Sequence, residues 1–336
     1  MTKALITGIT GMVGSHLLDY LVEKTDWEIH GMIRWRSPLE NIQEHVKTIN
    51  SRERIFLHYG DLNDSASIRN IFRNHRFDFI FHLAAQSFPK TSFISPNDTY
   101  NTNIIGTNNI MDACLEYCPE ATIHNCSSSE VFGRVPKEYV PIKENTPFHP
   151  ASPYAISKCS ADLVGRYYAE AYGLKVLTTR MFTHTGPRRG DVFMESSFAK
   201  QIALIETGKL KPVVKTGNLE SVRTVADVRD AVRAYYLLVT SSCEAGSVFN
   251  IGGSYTTTVK EILEKLISLS TRSGIVHEID PERIRPIDAD LQIPDTSLFR
   301  EKTQWEPKIE FEETMRDLLN YWRNKVKTNV HGYLQR

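Results

Sequence analysis

A glycine turn set between two apolar strands limits this chain more than anything else in it. Lys3-Ala4-Leu5-Ile6-Thr7 has the unbroken apolar character of a buried parallel strand. Gly8-Ile9-Thr10-Gly11-Met12-Val13-Gly14 follows at once, and Leu17, Leu18 and Leu21 then recur at helical spacing. Glu28-Ile29-His30-Gly31-Met32-Ile33 reads as a second strand, closing a β-α-β unit within about thirty residues. Glycines so placed allow a tight turn and a close approach of backbone to ligand. The helix N-terminus beyond them offers N–H donors and a positive dipole end to a diphosphate. A dinucleotide is therefore expected on Gly8, Thr10, Gly11, Met12, Val13 and Gly14. An acidic residue after the second strand would bond the ribose hydroxyl of NAD. This chain has Arg34-Trp35-Arg36-Ser37 there, and the guanidinium groups of Arg34 and Arg36 suit a 2′-phosphate, which predicts NADP.

The alternation continues. Ile55–Tyr59 is a third strand, ending at Gly60-Asp61-Leu62, and a helix follows over Ser65–Asn74. Phe79–Leu83 is a fourth strand, ending at Ala84-Ala85-Gln86-Ser87. Small residues there let backbone lie against a flat ring, so Asp61, Leu62, Leu83, Ala84 and Ala85 join the expected cofactor contacts. His82 lies in a buried run and reads as a core histidine. A long helix is expected over Thr99–Tyr117, a strand over Ala121–Cys126 and another over Leu174–Met181. Strands alternating with helices predict an α/β fold, a Rossmann-type doubly wound parallel sheet. Beyond it the pattern turns irregular. Val213–Asn218 reads as a strand into a turn, Val225–Val228 as a helix start, and Thr256–Ile262 as a capped helix start. The expected division is an NADP-binding domain over 1–181, with 219–250 returning to it. A smaller mixed C-terminal domain over 182–218 and 251–330 would hold the substrate.

Ser127-Ser128-Ser129-Glu130 and Pro153-Tyr154-Ala155-Ile156-Ser157-Lys158 flank a polar, proline-containing loop. Proline suits a helix start, and Ala155, Ile156, Cys159, Leu163 and Tyr167 recur at helical spacing. Tyr154 and Lys158, four apart, share one face of that helix. An ammonium beside a phenol favours the phenolate, and such a tyrosine takes a proton from a hydroxyl near neutral pH. Ser128 is placed to hold the substrate oxygen. Glu130 adds a carboxylate on the same side as Ser128 if the strand stays regular. Taken alone, Tyr-x-x-x-Lys also occurs on ordinary surface helices; the glycine motif is what gives it weight.

Lys+Arg and Asp+Glu both number 40, so no global field calls for nucleic acid. No apolar window is long enough for a membrane span, and the start lacks a signal peptide's apolar stretch. The five cysteines show no paired metal-ligand spacing, so no metal is expected. They read as reduced thiols of a cytoplasmic protein. Arg189, Arg223 and Arg285 stand on three separate loops, where a converging pair would clamp a diphosphate.

The glycine motif together with Ser128, Tyr154 and Lys158 resembles the extended short-chain dehydrogenase/reductase family of nucleotide-sugar enzymes. Within it the chain looks most like the GDP-mannose 4,6-dehydratases. Leu83-Ala84-Ala85-Gln86-Ser87-Phe88, Glu144–Phe148, Ser128-Ser129-Glu130, Gly217-Asn218 with Arg223, and Arg285-Pro286 with Asp290-Leu291 carry that likeness. The resemblance implies a GDP-sugar substrate contacted by Gln86, Ser87, Arg189, Arg223 and Arg285. It implies a catalytic set of Ser128, Ser129, Glu130, Tyr154 and Lys158. Two departures, Thr183 where Asn is usual and Thr224 where Asp is usual, leave the sugar open among GDP-mannose, a GDP-heptose and other GDP-hexoses. Phe198–Ile202 also resembles the GDP-4-keto-6-deoxymannose reductases, so a 4-keto reductase or 4-epimerase is the alternative. A non-catalytic NADP-binding regulator is a distant third. The resemblance further implies a homodimer packed through the helices near Thr99–Tyr117 and Tyr154–Tyr172. A homotetramer would form through the Arg34–Asn50 loop, with its Trp35, Leu39 and Ile42.

Overall fold

The computed structural model describes residues 1–284, 287 and 289–328. The chain runs β1 (Lys3–Thr7), α1 (Met12–Lys24), β2 (Glu28–Ile33), α2 (Val46–Ser51), β3 (Ile55–Tyr59), α3 (Ser65–Asn74) and β4 (Phe79–His82). Next come α4 (Pro89–Ile94), α5 (Pro96–Tyr100), α6 (Gly106–Tyr117), β5 (Thr122–Cys126), α7 (Pro153–Tyr172), β6 (Lys175–Met181), β7 (His184–Thr185) and α8 (Met194–Glu206). Then follow β8 (Val213–Thr216), β9 (Val222–Asp227), α9 (Val228–Val239), β10 (Val248–Ile251), β11 (Tyr255–Thr258) and α10 (Val259–Ser268). Last are β12 (Val276–Ile279), β13 (Leu291–Gln292), α11 (Ser297–Thr303) and α12 (Phe311–Thr328).

Seven parallel strands form one sheet in the order β10-β6-β5-β4-β1-β2-β3, the doubly wound arrangement. Its strands are apolar on both sides because helices cover both faces. Leu17, Leu18 and Leu21 of α1 and Tyr235 and Leu238 of α9 pack with Ile6, Ile29 and Phe81 on one face. Ile68 and Phe72 of α3, Ile110 and Met111 of α6 and Tyr168 of α7 pack with Leu5, Ile80 and Ile123 on the other. Strand order reverses between β1 and β4, which leaves a crevice past their carboxyl ends. A smaller sheet, β11-β9-β13 with β7 on β9, and the pair β12-β8 accompany a second core of α8, α10 and α12.

Several elements differ from the sequence expectations. Val225–Asp227 ends a strand rather than starting a helix, because Val222, Arg223, Thr224 and Val225 pair with β11. The helix begins at Val228, capped by Asp227, whose Oδ1 accepts from the Arg229 N–H at 2.8 Å. β9 therefore lies in the smaller sheet, while α9 and β10 join the large one. Thr256–Thr258 is strand, and α10 starts after it with Thr258 and Glu261 forming the expected capping box. The long helix begins already at Pro96 and carries a π-helical turn at Asn101–Ile105. That turn aims the Asn103 amide at the Gln86 backbone (2.8 and 2.9 Å) and at Ser157 Oγ of α7 (2.9 Å). The Arg34–Asn50 stretch holds a 3₁₀ turn at Glu40–His45 and most of α2. It buries Ile42 but leaves Trp35 79% and Leu39 45% exposed.

Candidate active site

The crevice is built by glycine. Gly8 follows β1 with φ +72°, and a Cβ there would stand 3.0 Å from the Ala84 backbone. A Cβ on Gly14 would stand 2.2 Å from the Gly8 carbonyl, so only glycine lets α1 pack this close to the turn. Gly11 precedes α1 without any side-chain cap, so the first helical N–H groups remain available to an anion. Thr10 and Val13 are half-buried and Met12 is buried beside them. Across the crevice, Thr7 Oγ1 accepts from the backbone N–H groups of Leu83 (3.1 Å) and Ala84 (3.0 Å) and is bonded to His82 Nδ1 at 3.0 Å. The other ring nitrogen of His82 meets Thr107 Oγ1 at 3.1 Å. Burial lowers its pKa to about 3, so His82 is a neutral core residue that pins the Leu83-Ala84-Ala85 turn. Asp61 is half-exposed; the Leu62 side chain is buried against Gly106 and its carbonyl accepts from Asn109. Arg34 and Arg36 stand exposed at the carboxyl end of β2, in a turn closed by Ser37 Oγ on the Arg34 N–H (3.0 Å). Donors at a helix end, two close-packed backbones and an exposed guanidinium pair suit a dinucleotide.

The catalytic candidates meet where β5 ends and α7 begins. The strand does not stay regular past Cys126: Ser129–Val131 forms a 3₁₀ turn. The Ser128 hydroxyl caps it, accepting from the Glu130 N–H at 3.2 Å. Glu130 thus reaches the site by a turn rather than by strand alternation. Ser152 caps α7 through the Ala155 N–H at 3.0 Å, placing Tyr154 and Lys158 in its first two turns. Ser128, Ser129, Tyr154 and Lys158 are all buried, and Glu130 is half-buried. Burial pushes the Tyr154 phenol above its ordinary pKa; the Ser128 hydroxyl and the Arg189 guanidinium act the other way, while Glu130 raises it further. Lys158 lies buried in the second turn of α7. Its ammonium donates to the Cys126 carbonyl at 2.5 Å, and burial lowers its own pKa.

On the substrate side, Arg189 joins this cluster. Its guanidinium lies 3.6 Å from the Phe193 ring centroid, and its Nε is buried with no hydrogen-bond partner among the described residues. The loop is fixed to α1: Arg188 pairs with Asp19 at 2.6 Å, and His16 Nε2 meets the Pro187 carbonyl at 3.1 Å. Phe88 meets Phe193 edge-on at 5.9 Å, and Ser87 next to it in the chain is exposed. The Gln86 amide bonds within its own loop, donating to the Phe88 carbonyl and Thr99 Oγ1 and accepting from the Phe88 N–H. Arg223 lies at the far end of β9 from the β7 pairing, with Nη1 on the Val222 (3.0 Å) and Ala289 (2.6 Å) carbonyls. Arg285 lies outside the described residues.

Three features were not read from sequence. Asn103 braces the Gln86 loop. Arg180 ties α7, through Asp162, to the Glu144 carbonyl in the loop that precedes that helix. Gln292, opposite Arg223 in register, is buried with both amide atoms unbonded among the described residues. Only the Asn inside a helical apolar run was a local signal.

The profile of the GDP-mannose 4,6 dehydratase family matches residues 5–318. GDP-mannose 4,6 dehydratase 1 of Arabidopsis thaliana is 34% identical over 98% of this chain and 93% of its own. The GDP-mannose 4,6 dehydratase of Homo sapiens is 30% identical over the same shares. Among solved structures, RMD from Pseudomonas aeruginosa, complexed with NADPH, superposes with TM-score 0.82 at 27% identity, covering 97% of this chain and 100% of that one. No helix among the described residues is long and apolar enough to cross a membrane.

Proposed function

The chain belongs to the GDP-mannose 4,6 dehydratase family of hydro-lyases, and from that premise we propose that it is an NADP-dependent GDP-hexose 4,6-dehydratase. It acts on GDP-mannose or a close relative and yields a GDP-4-keto-6-deoxy sugar. The observation that carries this reading is the family match over residues 5–318, with Glu130, a carboxylate beside the Tyr154–Ser128 pair, as the base the reaction requires. When bound, the nicotinamide supplies a hydride acceptor for C4 and a hydride donor for C6, so none is consumed. Tyr154 takes the C4 hydroxyl proton while Ser128 holds that oxygen, with Ser128 and Arg189 favouring the phenolate. Lys158 fixes the end of β5 and would hold the nicotinamide ribose. The resulting 4-ketone acidifies C5–H, and Glu130 takes that proton. Water leaves C6 with a proton from Ser129 or Glu130 and C5 regains a proton, so the two protons taken by Tyr154 and Glu130 balance the two given to water and to C5. Arg189, Arg223 and Arg285 hold the GDP portion. In this reading the large sheet carries the cofactor, and the segments 182–218 and 251–330 carry the nucleotide sugar. The five free cysteines agree with a cytoplasmic setting.

A 4-keto reductase or 4-epimerase needs Tyr154 and Lys158 but no base at C5. Incubating cofactor-loaded protein with GDP-mannose and no added NADPH separates the readings. The expected product is lighter by one water; a demand for stoichiometric NADPH overturns the dehydratase.

If Arg34 and Arg36 grip the 2′-phosphate, replacing both with Ala weakens NADP binding by about tenfold or more per arginine and leaves NADP-independent NAD binding nearly untouched. Equal losses for the two cofactors, measured by titration, would show that the pair only shapes the turn.

Assembly belongs to the same reading. Ile110, Met111 and Tyr168 serve the chain's own core, but Ile105, Leu163 and Tyr167 remain exposed at 52%, 46% and 54%. They form the face for a homodimer, and the loop bearing Trp35 meets a second dimer near bound NADP, giving a homotetramer. A species of 38.3 kDa in solution at micromolar concentration refutes both contacts; a stable dimer removes only the role of the loop.

A further inference from the structure

Three histidines from three elements meet on the α3 side of the large sheet, away from the catalytic residues. His30 lies in β2, His58 in edge strand β3, and His75 directly after α3. β1 and β4 separate β2 from β5, and His30 sits in mid-strand rather than at the carboxyl end that faces the crevice. The register pairs His30 with Phe56 and Met32 with His58, which puts the His30 and His58 side chains on one face. Their rings stack at 5.0 Å, and His75 closes on them at 4.8 and 4.6 Å. One nitrogen from each ring lies within 4.8 Å of the other two.

We propose that His30, His58 and His75 form a binding site for one divalent transition-metal ion, zinc being the chosen probe. Imidazole nitrogen suits Zn²⁺, Ni²⁺ and Cu²⁺. The surroundings are those of a ligand set. His30 Nε2 is bonded to Glu28 Oε1 at 2.7 Å, which leaves Nδ1 directed at the cluster. A carboxylate on the far nitrogen of a ligating histidine fixes its tautomer and raises its basicity. Lys3, whose charge bears on His30 and His75, pairs with the same Glu28 at 2.7 Å, so Glu28 offsets its repulsion of an incoming ion. His30 is buried, while His58 and His75 are half-exposed, which gives the ion an entry path and leaves a position for water. Burial favours the uncharged form of each imidazole, the form that ligates a metal.

Binding replaces one hydrogen bond. His30 Nδ1 and His58 Nε2 now meet at 2.8 Å. Zinc–nitrogen bonds of about 2.0–2.1 Å set tetrahedral ligand atoms about 3.3 Å apart. That pair opens slightly, the His75 nitrogen moves in, and the proton between the rings passes to His58 Nδ1. No proton leaves the protein. The ion then ties edge strand β3 to β2 and to the end of α3.

The test is calorimetric titration of untagged, chelator-treated protein with ZnCl₂ near neutral pH. The expected result is one Zn²⁺ per chain at micromolar affinity or tighter, with a raised melting temperature and tetrahedral visible bands on Co²⁺ substitution. His75→Gln and His58→Gln, both at half-exposed positions, abolish this binding while circular dichroism and NADP binding stay unchanged. Glu28→Gln weakens it by about 10–100-fold. Absence of saturable binding by the parent chain overturns the proposal, as does the parent affinity persisting in either histidine variant.

Discussion

Replacing Glu130 by Gln lowers product formation by about 10²-fold or more, with NADP and GDP-hexose affinity unchanged. The change keeps the shape of the side chain and leaves the backbone N–H that Ser128 receives at 3.2 Å, so the 3₁₀ turn stands. What it removes is the carboxylate that acts on Tyr154. Glu130 raises the pKa of Tyr154, so its neutralisation favours the phenolate. The opening oxidation at C4 therefore survives, visible as reduced-nicotinamide absorbance that builds up and persists. Exchange of the C5 hydrogen with deuterated solvent stops. Stopped-flow absorbance and product analysis check the two halves. Full turnover by this variant would sink the dehydratase reading, whereas loss of substrate binding would recast Glu130 as a ligand.

Replacing Arg180 by Met costs about 3–5 kcal/mol of stability, the usual consequence of leaving one charge of a buried pair alone. Arg180 of β6 grips Asp162 of α7 with Nε at 2.8 Å and Nη2 at 3.0 Å, and both side chains are almost wholly buried. Its Nη1 donates to the Glu144 carbonyl at 2.6 Å. Its guanidinium lies 4.6 Å from the Phe148 ring centroid and 5.4 Å from that of Phe132. One side chain thus holds α7, which carries Tyr154 and Lys158, and the loop over 134–152. That loop also packs Ile142 and Phe148 against Val131 and Phe182. Chemical denaturation measures the cost. Adding Asp162→Leu to the variant recovers much of it, because the stranded carboxylate is gone. An unchanged midpoint in the single variant would show that the pair contributes nothing.

The parts of the fold that were legible in sequence are those whose physics is local. The glycine motif, the apolar runs of β1–β6 and the Pro153 helix start depend on neighbouring residues, and each formed where expected. The candidate cluster was legible in which residues meet more than in how they contact one another. Ser128, Glu130, Tyr154 and Lys158 do converge, but Glu130 arrives through a turn capped by Ser128. The partner of Lys158 is the carbonyl of Cys126, on another element. The groups that favour the Tyr154 phenolate, Ser128 and Arg189, come from two loops far apart in the chain. The pairs Arg180–Asp162 and Arg188–Asp19, and the meeting of His30, His58 and His75, depend on register and packing that no single segment encodes.

The central claim is that one hydride leaves C4 of a GDP-hexose and returns to C6 of the same molecule. GDP-mannose carrying deuterium at C4 tests it directly, with purified protein and its bound cofactor and no added NADPH. The predicted product is a GDP-4-keto-6-deoxyhexose that has lost one water and carries the deuterium at C6. Deuterium released to solvent, or found on free NADPH beside a product that still holds its C6 oxygen, would contradict the account.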